Sequence, residues 1–166
     1  MKLFTLGYST STIDEFVNLL LASQIRTVVD VRSIPKSRLP HFNQVQLERA
    51  LAVAGIGYEY LGDRLGGMPR DEELMGAWQQ GHLNSRILSS IRASPEWSDG
   101  IGTLSRLIIS NPDEFVCILC SEANPNACHR KAVALDAAKA LGELEIIHLV
   151  HGSSARHEVG VQEALM

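Results

Sequence analysis

The sequence contains no apolar run near the roughly 18 residues that a membrane-spanning helix requires. Its opening residues, MKLFTLGYST, carry one lysine and none of the long apolar core of a secretion signal. The expectation is a cytoplasmic protein with no membrane partner. Cysteine is sparse and odd in number, three residues in the second half of the chain. Free thiols in a reducing compartment fit that count better than a disulfide framework. Acidic residues are absent from Val31 to Leu47, where Arg32, Lys36, Arg38 and His41 all fall. This positive island sits on a chain of formal net charge −4. An acidic balance disfavours a general grip on nucleic acid, and the island reads equally well as a solvated loop. Glycine is absent from CSEANPNACHR, Cys120 to Arg130. That argues against the tight glycine-rich anion loop of phosphatase and rhodanese type. No internal repeat or low-complexity segment is present.

What is there reads as one α/β domain over 1–151, with a tail over 152–166 whose VGVQEALM segment suits a short helix. A chain of 166 residues is long enough to bury a real core. Short β-branched runs predict strands over 2–6, 27–31, 57–61, 115–119 and 145–150. Between them, T-x-x-E at Thr12 and Glu15 predicts a capped helix to about Ala22. Asn43 suits the cap of a helix over 44–54 that stops at Gly55. Segment 62–73 reads as a loop, followed by helical pieces over about 71–79, 82–92 and 96–110. A last helix, from Asn126 or Cys128 to Leu141, ends at Gly142. Strands alternating with helices imply an open, mainly parallel five-stranded sheet, a Rossmann-like three-layer sandwich. The expected strand order is 3-2-1-4-5. Segment 71–110 suits either a lid or an interface.

Ligands of open α/β sheets bind beyond the carboxyl ends of the strands. The residues leaving these strands are Tyr8 and Ser9, then Asp30, Arg32 and Ser33, then Gly66 and Gly67, then Cys120, Glu122, Cys128, His129 and Arg130. In the expected order, Ser9 faces Cys120 and Glu122 across a crevice.

Three chemistries compete for CSEANPNACHR. A zinc knuckle would use Cys117-x-x-Cys120, but residues three apart on a strand point to opposite faces, so Cys117 reads as core. A looser metal set of Cys120, Glu122, Cys128 and His129 stays open, and no metal is assigned. A reactive thiol would be Cys120 or Cys128, activated by a helix N-terminus and Arg130. An anion cradle would use the same helix N-terminus with Arg130, Arg32 and Lys36. Glu122 and Asp30 would then orient the arginines or act as general base. The competing reading is a buried structural network of arginines and carboxylates.

The segments LGYSTSTIDEF, VVDVRSIPKSR, HFN, YLGDRLGG and LCSEANPNACHR together resemble the family known as domain of unknown function 488. The resemblance covers about residues 3 to 150. It implies one compact α/β domain with shared polar residues at Tyr8, Ser9, Asp30, Arg32, Ser33, Pro35, Asn43, Glu122, Cys128, His129 and Arg130. It supplies no reaction and leaves the cofactor unknown. The first functional expectation is an enzyme of hydrolase or glycosyl-transfer type acting on a small phosphate-bearing or nucleotide-like molecule. Glu122, Asp30 or His129 would do acid–base work, while Tyr8, Ser9, Arg32, Ser33, Lys36, Asn43 and Arg130 would hold the ligand. The alternatives are a nucleotide or nucleic-acid binding module without chemistry, and a redox or metal protein built on Cys120, Cys128 and His129.

Overall fold

In the computed structural model, residues 1–81, 83–152 and 157–159 are described, the last three by their backbone. Five strands, β1 (Lys2–Gly7), β2 (Ile25–Asp30), β3 (Gly57–Tyr60), β4 (Phe115–Cys120) and β5 (Glu145–Leu149), pair in parallel in the order 3-2-4-1-5. A short strand β6 (His157–Val159) adds antiparallel to β5 at the edge. The α/β class and parallel sheet agree with the pattern of alternating strands and helices. The expected order 3-2-1-4-5 does not, because β4 lies between β2 and β1. Composition supplies the reason. FVCILC holds no charged residue and no hydroxyl, whereas β1, β2 and β5 each carry one or more polar side chains. The middle of a sheet is covered on both faces and both edges, so the most apolar run belongs there.

Among the described residues, seven α-helices join the strands. α1 (Ile13–Ala22) and α2 (Gln44–Val53) cover one face of the sheet. α3 (Gly62–Leu65), α5 (Ser85–Arg92), α6 (Pro95–Ser110) and α7 (Arg130–Leu141) contribute to the core on the other, and α4 (Glu72–Gln79) precedes α5. The start of α1 forms the full capping box, with Thr12 accepting from the Glu15 amide. Asn43 stands at the start of α2 but does not cap it; its Oδ1 accepts from the Ser37 amide at 2.8 Å. The expected loop over 62–73 instead begins with the single helical turn of α3. The helix expected at 159–166 falls almost wholly outside the described residues, and Val159 itself is in β6. No helix among the described residues is long and apolar enough to cross a membrane.

Strand parity separates the cysteines. Val116, Ile118 and Cys120 pack into the core beneath α6 and α7, while Cys117 and Leu119 pack beneath α1 and α2. Cys117 is a buried core residue, and burial pushes its thiol pKa up. Cys120, the last residue of β4 and on the other face, is delivered to the edge where the loops gather.

Candidate functional site

Two polar clusters lie side by side at the carboxyl edge of the sheet. The first leaves β2. Asp30 is fully buried, and both its oxygens are engaged. Oδ1 accepts from the backbone amide and Nε of Arg32 at 3.1 and 2.9 Å. Oδ2 accepts from Arg32 Nη2 at 2.7 Å and from the Tyr58 hydroxyl at 2.6 Å. Arg32 Nη1 donates to the Phe42 carbonyl at 2.7 Å, and the guanidinium carbon lies 5.5 Å from the Tyr8 ring centre. Tyr8 in turn stacks on Phe42 with ring centres 4.1 Å apart. Burial alone would lower the Arg32 pKa; the Asp30 carboxylate more than offsets it, so the net shift is upward and the side chain stays charged. Burial, then the Asp30 charge, pushes the Tyr58 hydroxyl pKa up. Asp30 and Arg32 therefore form a saturated ion pair. The positive island shrinks accordingly, since Arg32 is inside and Lys36 and Arg38 remain exposed.

The second cluster joins the end of β4 to the start of α7. Arg130 is fully buried, and its guanidinium meets main-chain carbonyls instead of the Glu122 carboxylate. Its Nη1 donates to the Glu122 carbonyl, its Nη2 to the Ala123 carbonyl at 2.9 Å, and its Nε to Thr5 Oγ1 at 3.3 Å. The Arg130 fork thus braces the loop over 121–123 from below. Gly7 permits this: a Cβ there would come within 1.6 Å of the Glu122 carbonyl oxygen. Tyr8 and Ser9 donate their amides to the carbonyls of Cys120 and Ser121 at 3.1 and 2.9 Å. So the crevice expected between Ser9 and Cys120 is closed by main-chain pairing that continues past the ends of β1 and β4.

With the loop braced, Cys120 meets Cys128 and His129. The two sulfurs and the ring nitrogen lie within 4.8 Å of one another, and all three residues are buried. His129 Nε2 is 2.8 Å from the Val31 carbonyl and donates to it. That leaves the Nδ1 lone pair facing the thiols, 4.0 Å from Cys120 Sγ and 3.8 Å from Cys128 Sγ. The Arg130 amide, at the start of α7, lies 3.5 Å from Cys128 Sγ and donates to it. The hydrogen bond from Cys128 holds the Cys120 thiol well below its ordinary range; burial opposes this and His129 supports it. Donation to Cys120, followed by burial, pushes Cys128 up. For His129, burial acts downward but the Cys120 sulfur across from Nδ1 turns the net shift upward.

A cavity of about 320 Å³ opens onto this cluster. Cys120, Cys128 and His129 line it with Tyr8, Arg32, Ser33 and Lys36, Glu122 also contributes to its wall, and Ile34, Trp78 and Leu83 supply apolar surface. Glu122 and Lys36 are exposed. Ser33 is held in place by Tyr60, whose hydroxyl donates to its carbonyl at 2.9 Å, and by Met68, whose amide donates to its Oγ at 2.9 Å. Of the residues singled out from sequence, Asp30, Arg130, Asn43 and Ser9 do not line this cavity. Ser9, with a positive φ of 47°, lines a neighbouring pocket with Glu15 and His151. Trp78 and Leu83 come from the segment that sequence left as lid or interface; a tryptophan in a charged helix was the available signal. A wider groove of about 720 Å³ between α5, α6 and α7 is less suited to chemistry, because its Asp136 is already committed to Arg92 and to Trp97 Nε1.

No curated protein and no solved structure matches the chain significantly. The family described as domain of unknown function DUF488 matches residues 12–135, from the cap of α1 to the middle of α7. That span holds Asp30, Arg32 and the whole Cys120–Arg130 segment and leaves out β1 together with Tyr8 and Ser9 beyond it. On this match, the chain belongs to the DUF488 family.

Proposed function

We propose that the protein is an enzyme acting on a small anion-bearing molecule held in the cavity above Cys120, Cys128 and His129. One observation carries this reading: a single opening at the carboxyl edge of the sheet gathers a buried sulfur–imidazole cluster, a cation on Lys36 and a carboxylate on Glu122. Ligands of open α/β sheets enter at this edge, and about 320 Å³ suits a small metabolite. Lys36 meets the anionic part. Trp78, Ile34 and Leu83 offer apolar surface to the remainder, as a nucleotide-like or other planar group requires. Glu122 is placed to exchange a proton with a bound ligand. The role first expected of Arg130, direct anion binding, passes to Lys36, since Arg130 is occupied by carbonyls.

The test is thermal unfolding of the protein against nucleotides, sugar phosphates and simple anions, followed by a turnover screen of the ligands that bind. Ligand at about a hundred times its dissociation constant adds roughly 2.7 kcal/mol. The Tm should rise by about 5–10 °C for one ligand class. Lys36→Ala should abolish that rise, and Glu122→Gln should retain it while losing turnover. A rise that survives Lys36→Ala would place the ligand elsewhere. Full turnover by Glu122→Gln would remove the carboxylate from the chemistry.

A further inference from the structure

Cys120, Cys128 and His129 present three lone-pair donors to one point, and the surrounding residues hold them there without filling that point. The backbone turns between Cys128, extended at φ −135° and ψ 142°, and His129, helical at φ −62° and ψ −17°. The turn lets two adjacent side chains point to the same spot. His129 Nε2 is committed to the Val31 carbonyl, which fixes the ring so that Nδ1 is the free donor. A ring nitrogen anchored in this way is the usual support of a metal-binding histidine. Gly67 completes the arrangement from the opposite loop. A Cβ there would lie 2.8 Å from His129 Nδ1, so any larger residue would cover that nitrogen.

We propose that Cys120 Sγ, Cys128 Sγ and His129 Nδ1 bind one thiophilic divalent cation, Zn²⁺, with a fourth coordination position open to the cavity. Tetrahedral zinc with ligand distances of about 2.3 Å to sulfur and 2.0–2.1 Å to nitrogen sets neighbouring donors roughly 3.5–3.8 Å apart. The observed sulfur–nitrogen distances of 3.8 and 4.0 Å need only a small contraction to reach that geometry. Two thiolates neutralise the ion, and the Arg130 amide already donates to one of them. Two sulfurs and one imidazole select zinc over magnesium or calcium, which require oxygen. Three protein ligands with an open place is the pattern of catalytic rather than structural zinc sites. The metal inference rests on the proposed function only for what occupies that fourth position; ion binding itself does not depend on it.

Cobalt is the probe, because it takes the same tetrahedral places and is coloured. Chelator-treated, reduced full-length protein is titrated with Co²⁺ and then with Zn²⁺. One equivalent of Co²⁺ should bind, with a thiolate-to-cobalt charge-transfer band and the strong visible bands of a tetrahedral site, and Zn²⁺ should displace it. Cys117→Ser should leave the spectrum unchanged. Cys120→Ser and Cys128→Ser should each reduce the charge-transfer band and weaken binding by more than the roughly 10–100-fold loss typical of a supporting residue. Gly67→Ala should weaken binding while every ligand stays in place. Circular dichroism separates loss of the site from loss of fold, and the titration of the unaltered protein needs no variant. Binding without a thiolate band, a band that survives both Cys120→Ser and Cys128→Ser, or no uptake by the reduced parent overturns the proposal. If the parent takes up no metal but a cavity ligand still raises the Tm, the metal inference fails alone. If cobalt binds as stated and no small molecule does, the enzymatic reading fails alone.

Discussion

Two clusters of similar residue type share the carboxyl edge of this sheet, and they differ in how far their polar atoms are used. Around Asp30, both carboxylate oxygens have donors, and the Arg32 amide and all three of its guanidinium nitrogens are spoken for within the protein. Around Cys120, two sulfurs and a ring nitrogen face one another beside open space. Both contain a buried arginine, yet Arg32 and Arg130 each serve the chain: one neutralises Asp30, the other braces the loop that carries Glu122. A conspicuous charge is therefore a poor guide to a reactive site, and an unfinished set of partners is a better one.

Breaking the saturated cluster should have the largest effect on stability. Asp30→Asn leaves the Arg32 guanidinium buried without its counter-charge, and breaking such a pair costs about 3–5 kcal/mol. At about 2–4 °C per kcal/mol for this size, the Tm should fall by roughly 6–20 °C in a calorimetric scan. Arg130→Met comes next. It deprives the Glu122 and Ala123 carbonyls and Thr5 Oγ1 of their donor, a loss of about 3 kcal/mol by denaturant unfolding, and it should disperse the Cys120–Cys128–His129 geometry as well. Tyr58→Phe sharpens the contrast, since it removes one of the donors to Asp30 Oδ2 and should cost about 1–3 kcal/mol with no effect on metal or ligand binding. Trp78→Ala should change stability least and act on the other side of the comparison, weakening cavity ligands several-fold in a binding titration while leaving cobalt uptake intact.

Much of the fold was legible because its signals are local. Thr12 and Glu15 announced the α1 cap, and strand period alone separated Cys117 from Cys120. Strand order was not legible from alternation, because pairing between strands is set by long-range packing; only the fully apolar FVCILC hinted that β4 belongs in the centre. At the site, the expected residues do lie near one edge of the sheet, but their hydrogen-bond partners are not those expected. Arg130 looked like an anion clamp because its carbonyl partners are backbone groups, which carry no residue-type signal. Tyr58 lies on β3 and Gly67 on the loop beyond it, so their contacts with Asp30 and His129 depend on the sheet and loops closing. Asn43 has capping chemistry but spends it on the Ser37 amide, a local competition that residue type does not resolve.

The most direct measurement is denaturant unfolding of Asp30→Asn and Cys128→Ala beside the parent, reduced and metal-free. The account predicts a loss of about 3–5 kcal/mol for Asp30→Asn. Cys128→Ala should lose only about 1 kcal/mol, the cost of one buried heavy atom, with an unchanged slope. The opposite ranking, with Asp30→Asn near the parent and Cys128→Ala strongly destabilised, would show that the sulfur cluster holds the fold and the carboxylate is the group held in reserve.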